Sequence, residues 1–98
     1  MLNSKQRAFL RGLANKEPAL YQIGRSGVNE NMIKQICDAL EARELVKVHV
    51  LDNSLLSARE AADELSEGTS SDVVQVIGNK FVLYKESENN KKIELPKK

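Results

Sequence analysis

The residues between Asn29 and Leu51 change their hydrophobic period from that of a helix to that of a strand, and this change constrains the fold most strongly. Apolar side chains first recur at the spacing i, i+3, i+4, i+7, which predicts a helix, at Ile33, Ile36, Cys37 and Leu40. From Leu45 to Leu51 they alternate instead, which predicts a strand. Another short strand is predicted at Ala19–Ile23. Because a strand–helix–strand unit joins parallel strands through a right-handed crossover, this segment predicts an α/β arrangement.

Two further helices are predicted on either side of this unit. The first spans about residues 4–15 and begins at a capping box formed by Asn3 and Gln6. The other spans residues 57–67 and opens with a Ser-x-x-Glu capping box. Gly68 follows it, and we expect this glycine to adopt the left-handed conformation that ends many helices.

A hairpin is predicted at the end of the pattern, with strands at residues 73–77 and 81–85 joined by Gly78-Asn79. The predicted fold is α/β (α+β): a single domain of order α-β-α-β-α-β-β, with a four-stranded mixed sheet and three helices. A chain of 98 residues has room for one core. We expect residues 1–86 to form this domain and residues 87–98 to form a flexible polar tail.

Charge is segregated along the chain, although the net charge is only +1. Residues 1–27 carry five basic residues and one acidic residue, whereas residues 52–72 carry six acidic residues and one basic residue. Such a field attracts a polyanion to one part of the molecule, but two ordinary solvated helix faces explain the pattern equally well. The single cysteine and the absence of a long apolar run predict a reducing, cytoplasmic location without a membrane partner.

The loop Gly24-Arg25-Ser26-Gly27 carries the clearest chemical signal. It lies between a predicted strand and a predicted helix whose first amides and dipole favour anions. Glycines allow close approach of another backbone, and the guanidinium of Arg25 suits phosphate oxygens. A plain strand-to-helix turn needing two glycines remains the alternative, because short glycine patterns are frequent. Neither the phosphate-loop motif of nucleotide hydrolases nor the dinucleotide fingerprint occurs.

Other candidate sites are weaker. His49 is the only histidine and has no acidic residue or cysteine at ligand spacing, so we predict a strand surface position and no metal or cofactor. Cys37 lies on an apolar helical stripe and is predicted to be in the core. The chain has four aromatic residues, and Phe81 and Tyr84 should point to opposite faces of their strand. We therefore expect recognition by backbone, shape and charge instead of base stacking.

The order of several motifs resembles the CRM-domain family (chloroplast RNA splicing and ribosome maturation), and especially its single-domain bacterial, YhbY-like branch. The matching stretches are Ser4-Lys5-Gln6-Arg7, Leu10-Arg11-Gly12-Leu13-Ala14, Ile23-Gly24-Arg25-Ser26-Gly27, Ala39-Leu40-Glu41-Ala42-Arg43-Glu44-Leu45-Val46-Lys47-Val48, Val74-Gln75-Val76-Ile77-Gly78, Val82-Leu83-Tyr84-Lys85 and Ile93-Glu94-Leu95-Pro96. The resemblance implies a fold like the C-terminal domain of a bacterial translation initiation factor, and a GxxG loop used for RNA as in KH domains. It also implies association with large ribosomal subunit precursors, as in bacterial members, whereas plant members act in group II intron splicing.

Two positions depart from the family pattern: Arg25 replaces a frequent lysine, and Lys85 replaces a frequent arginine. We predict a monomeric, non-enzymatic protein that assists large-subunit assembly by gripping ribosomal RNA, without a small-molecule substrate. The predicted RNA-binding residues are Gly24, Arg25, Ser26, Gly27, Lys5, Arg7, Arg11, Lys34 and Lys47. The alternatives are a module that docks on a ribosomal protein without touching RNA, and an enzyme that acts on RNA.

Overall fold

A computed structural model describes residues 2–96, and residues 1, 97 and 98 of the predicted domain and tail lie outside it. Three helices and four strands alternate in the predicted order. They are α1 (Ser4–Ala14), β1 (Tyr21–Ile23), α2 (Glu30–Arg43), β2 (Leu45–Val50), α3 (Ala58–Thr69), β3 (Asp72–Ile77) and β4 (Lys80–Tyr84). Within residues 2–96, no helix has both the length and the apolar character that crossing a membrane requires.

The four strands form one mixed sheet in the order β1-β2-β4-β3, which confirms the predicted fold class. β1 and β2 are parallel, and β4 lies antiparallel to both β2 and β3. The first three strands therefore point the same way, and both strand–helix–strand steps join parallel strands. We call the end of the sheet where β1, β2 and β3 finish the loop end. The end where β4 finishes is the tail end.

Each face of the sheet has its own hydrophobic cluster. One face is covered by α2 and α3, and its most buried members are Ile23, Ile36, Leu40, Val48, Leu65, Phe81 and Leu83. The other face is covered by α1, and its cluster consists of Leu2, Leu10, Ala14, Leu45, Val74, Val82 and Tyr84. Phe81 and Tyr84 thus point to opposite faces, as predicted. Burying one such large apolar side chain contributes about 1.5–3 kcal/mol.

Local hydrogen bonds confirm the three predicted helix starts, but the end of α3 was predicted wrongly. Asn3 and Ser57 form capping boxes, and the Asn29 side chain caps α2. Gly68 lies inside α3, and Ser70 instead adopts the left-handed conformation, with φ 57°. A Cβ on Gly68 would lie 2.9 Å from Cδ1 of Ile33. An alanine here would require the Ile33 side chain to shift, because α2 and α3 approach closely at this point.

At the tail end, residues 87–93 are held by two carboxylates at the end of α2. Glu44 is fully buried, and its carboxylate accepts hydrogen bonds from the backbone N–H groups of Ser87, Lys92 and Ile93 at 2.6–2.8 Å. The Glu41 carboxylate accepts from the Ser87 hydroxyl at 2.6 Å and from the backbone of residues 88 and 89. We call this arrangement the tail clasp. Its contacts begin directly after residue 86, where we predict that the domain ends and the tail begins. That boundary stays a prediction.

The electrostatics of the clasp favour ionised Glu44. Burial opposes ionisation, but the three N–H donors and the charge of Lys91 outweigh it and hold the Glu44 pKa below its usual 4.5. Glu44 also has a φ of 67°, a conformation that disfavours residues with a Cβ. The left-handed backbone conformation of Glu44 is therefore unfavourable. The hydrogen bonds that its carboxylate accepts in the tail clasp offset this cost.

Candidate nucleic-acid interface

The Gly24–Gly27 loop is a tight turn at the loop end of the sheet. The Gly27 N–H donates to the Gly24 carbonyl at 3.1 Å, and Gly27 has a φ of 65°. The root of the loop is fixed, since Ile23 is fully buried and its carbonyl accepts from Leu51 N–H at 2.8 Å. A Cβ on Gly24 would lie 3.3 Å from Oδ1 of Asn53. Gly27 thus allows the positive φ angle of the turn, and Gly24 allows the close approach of the Asn53 side chain.

Arg25 and Ser26, the central residues of the turn, are both exposed. An open hollow separates the turn from the first two turns of α2, and besides the turn it is lined by Gln22, Asn29, Asn31, Met32 and Gln35. Arg25 carries the only charge among the lining residues, which include no carboxylate. The surface is therefore uncovered and carries one positive side chain, with carboxamides that can donate and accept hydrogen bonds.

The start of α2 adds to this character. The Asn29 side chain accepts from Met32 N–H at 2.9 Å, which fixes the first turn beside the loop. The earliest amides of a helix have no intrahelical acceptor, and the dipole places partial positive charge there. Glu30 lies in this turn and is exposed, but it does not line the hollow. The backbone geometry therefore suits an anion that approaches from the hollow.

The structure does not bring all nine predicted residues together. Lys34 lies on α2 one turn beyond Asn31 and is exposed, as are Lys5 and Arg11 on α1, which packs on the other face of the sheet. Arg7 is half-buried, and its Nη1 donates to the Val73 carbonyl at 2.6 Å.

Lys47 also has a contact within the protein. Its Nζ lies 3.4 Å from the carbonyl oxygens of Ala14 and Glu17, where it caps the end of α1. Arg7 and Lys47 thus hold α1 on the sheet, whatever else they contact.

Sequence reasoning did not identify the carboxamides of the hollow. Asn31 and Gln35 are four residues apart on α2, so they share a helical face beside the loop. Gln22 precedes the buried Ile23 in β1 and points to the opposite face. The spacing of the two α2 residues was the available signal, but it becomes visible only once the loop is placed against that face.

Within residues 2–96, no group of three or more histidine, cysteine, aspartate or glutamate side chains could hold a metal ion. Cys37 on α2 and His49 on β2 are both half-buried.

Comparison with known proteins agrees with the resemblance noted from the sequence. The model of the CRS1/YhbY (CRM) domain family matches residues 2–85. A Bacillus subtilis relative with the name "Probable RNA-binding protein YqeI" is 54% identical over 96 residues, covering 98% of this chain and 100% of the relative. A Haemophilus influenzae protein named "RNA-binding protein" is 35% identical over 97 residues, covering 99% and 97%.

The fold is shared with a solved structure. The solution structure of the Staphylococcus aureus hypothetical protein SAV1595 superposes with a TM-score of 0.81 at 56% identity, covering 98% of this chain and 100% of that one. The match extends over the loop, the sheet and the tail segment together. With a family model that spans all seven elements and relatives matched over nearly their whole length, this chain belongs to the CRS1/YhbY (CRM) domain family.

Proposed function

We propose that this protein is a non-enzymatic RNA-binding protein that grips the backbone of ribosomal RNA at the Gly24–Gly27 loop during assembly of the large ribosomal subunit. The observation that carries the proposal is the uncovered hollow at the loop, where Arg25 is the only charged lining residue. Two relatives with the name of RNA-binding protein support RNA as the ligand. The family resemblance supports the ribosomal precursor as its source.

In the proposed mechanism, the turn brings the RNA backbone close to the polypeptide backbone. Gly24 and Gly27 leave no Cβ in the way, and the Arg25 guanidinium forms charge-assisted hydrogen bonds with phosphate oxygens. The Ser26 hydroxyl and the first amides of α2 donate to the same sugar-phosphate segment. Lys34 extends the basic surface along α2, whereas Lys5 and Arg11 lie exposed on α1, on the other face of the sheet, and would contact RNA there. Binding built from phosphate contacts weakens steeply with salt.

The test compares two arginine variants. Arg25→Ala removes the proposed phosphate contact, whereas Arg59→Ala removes an exposed arginine of α3 whose Nε lies 3.4 Å from Oδ2 of Asp63. We expect Arg25→Ala to lower the slope of log affinity against log salt by about 0.7–0.9, the value of one phosphate contact. Arg59→Ala should leave the slope unchanged. The proposal fails if the two variants bind RNA alike.

The ribosomal part of the proposal has its own test. The wild-type protein should sediment with precursors of the large subunit and crosslink to their RNA, and Arg25→Ala should reduce both signals. Purified protein should produce no turnover of that RNA. If the crosslinks were confined to other cellular RNAs, the proposal of RNA binding would stand and the proposed role in ribosome assembly would fall.

A docking module for a ribosomal protein is the second candidate, because α3 presents four exposed carboxylates to solvent, those of Glu60, Asp63, Glu64 and Glu67. This function would make precursor association resistant to nuclease and insensitive to Arg25→Ala. Reversing the charges of Asp63 and Glu67 would then abolish the association.

A further inference from the structure

One half of the sheet face on the α1 side is left uncovered. α1 ends at Ala14 and covers the half nearer the tail end, where Leu45, Val74 and Tyr84 are buried. Toward the loop end, Lys80 and Ile77 are exposed, with Ile77 62% accessible as a residue. The sheet face under α2 and α3 is therefore covered, whereas the face under α1 is partly exposed to solvent beside the Gly24–Gly27 loop.

The pairing register aligns one residue from each strand across this uncovered half. Gln22 pairs with His49, His49 with Lys80, and Lys80 with Ile77. Paired residues project to the same face. The neighbours Val48 and Phe81 are buried under α2 and α3, so this row points away from that core.

A second row lies next to the first on the same face. It contains Lys47, Val82 and Gln75, which are paired across β2, β4 and β3. A bulge between Val73 and Gln75 shifts the register of β3. It lets Gln75 share the face of the buried Val74. We define the open face as Gln22, Lys47, His49, Gln75, Ile77 and Lys80.

The chemistry of the open face suits an RNA segment. It carries two lysines and a histidine but no carboxylate, and a shallow depression between Lys47, Gln75 and Lys80 has Val82 as part of its floor. Gln22 belongs both to this face and to the hollow at the loop, so the two surfaces are continuous. Adjacent strands lie about 4.8 Å apart, which makes the first row roughly 14 Å long.

We infer that the open face binds the unpaired RNA segment that leaves the loop, with Lys80 on a phosphate and Gln22, His49 and Gln75 on base edges. This inference rests on the proposed function. An unpaired segment is the occupant that fits, because side chains standing on a sheet reach base edges only where these are not paired. Ile77 offers an apolar contact to a base or ribose. The surface uses no aromatic platform, since Phe81 faces the other core and Tyr84 lies in the buried α1 cluster.

The test measures affinity for a single-stranded RNA and for a fully paired hairpin, at several salt concentrations, with four variants. Lys80→Ala should weaken single-strand binding by roughly threefold to tenfold and lower the salt slope by about 0.7, the value of one contact on a single strand. Gln22→Ala should weaken it without changing the slope, because it removes a neutral contact. Lys92→Ala is the matched control, since Lys92 is exposed at the tail end, and should bind like the wild type. Arg25→Ala reports on the loop independently.

The outcomes separate the two proposals. If Arg25→Ala weakens binding and Lys80→Ala does not, the loop function stands and the open face is not an RNA surface. If neither variant matters, both proposals fall. Equal losses on the hairpin and the single strand would overturn the assignment of unpaired RNA. The molecular mass in solution is measured as a function of protein concentration. If it rises with concentration, and Ile77→Asp restores the monomer value, the open face binds a second copy of the chain instead of RNA.

Discussion

At the tail end of the sheet, three backbone N–H groups of residues 87–93 converge on the buried Glu44 carboxylate, whereas at the loop end the Gly24–Gly27 turn faces solvent. Both ends present backbone N–H groups in an arrangement that suits an anion. At the tail end the protein supplies the anion and the network is complete. At the loop end no carboxylate lines the hollow, and under the proposed function an RNA phosphate is the anion. The tail end therefore uses its amides within the domain, whereas the loop end leaves Arg25 and the first amides of α2 exposed to solvent.

Positive φ angles sharpen the same contrast. Gly27, with a φ of 65°, meets the conformational need of the turn without a side chain. Glu44 has a φ of 67°, which is unfavourable for a residue with a side chain, and the hydrogen bonds of its carboxylate compensate for this. Substitutions at these two positions should therefore affect different properties of the protein.

The largest expected effect on stability is that of Glu44→Gln. A carboxamide would direct its NH₂ group at one of the three donors and remove the charge that strengthens all three bonds, so we expect a loss of about 3 kcal/mol. Urea denaturation measures it, and Glu88→Gln, at an exposed tail position, is the control. RNA affinity of the folded variant should not change. A loss below about 0.5 kcal/mol would mean that the clasp does not stabilise the domain.

A smaller effect on stability, accompanied by an effect on binding, is expected of Gly27→Ala. Holding alanine at a φ of 65° costs about 1–2 kcal/mol and displaces the turn from the hollow. Gly12→Ala is a control of opposite sign, because a Cβ at this position in α1 would meet nothing within 4 Å. Alanine there should stabilise the helix by about 0.5–1 kcal/mol. Thermal unfolding with parallel RNA titrations measures both variants, and equal behaviour would contradict the role of the turn.

Lowering the pH should open the clasp before it affects the loop. The Glu44 pKa is depressed on folding, so its stabilisation is complete above the unfolded value of 4.5 and disappears as pH falls through the lower, folded value. The Ser87 hydroxyl and the amides of residues 88 and 89 likewise lower the Glu41 pKa. NMR signals of the Ser87 and Lys92 amides should therefore shift in acid before those of residues 24–27. Simultaneous shifts at both ends would show that the clasp does not titrate locally.

The smallest expected effect on stability is that of Arg25→Ala. The side chain is exposed and lines only the open hollow, so the free energy of unfolding should change by less than about 0.5 kcal/mol. Urea denaturation beside Arg59→Ala checks this. A larger loss would mean that Arg25 supports the fold, and its RNA phenotype would then need another explanation.

The sequence was sufficient for the features that depend on local patterns. Hydrophobic periods located all seven elements, and side chains that bond three residues along the chain predicted the caps at Asn3, Asn29 and Ser57. Gly68 was misplaced because the close contact with Ile33 arises only when two helices pack. A glycine near a helix end has the same local appearance in either role.

Long-range features could not be read from local patterns. The clasp joins Glu44 to residues that lie 43 to 49 positions further along the chain. Its donors are backbone N–H groups, which every residue except proline carries. The polar composition of the tail therefore concealed its anchoring. The open face depends on where α1 ends over the sheet and on the register that aligns His49 with Lys80. Neither is encoded in the spacing of any one segment.

Titrating single-stranded RNA into the labelled protein, while following the backbone amide signals by NMR, tests most directly whether the loop end binds RNA. We expect the signals of residues 24–35 to move first and furthest, together with those of His49 and Lys80. The signals of residues 87–93 should stay in place, since the tail clasp is already complete. Changes confined to the clasp and α3, with the loop unmoved, would contradict the claim that the loop end is where this protein meets RNA.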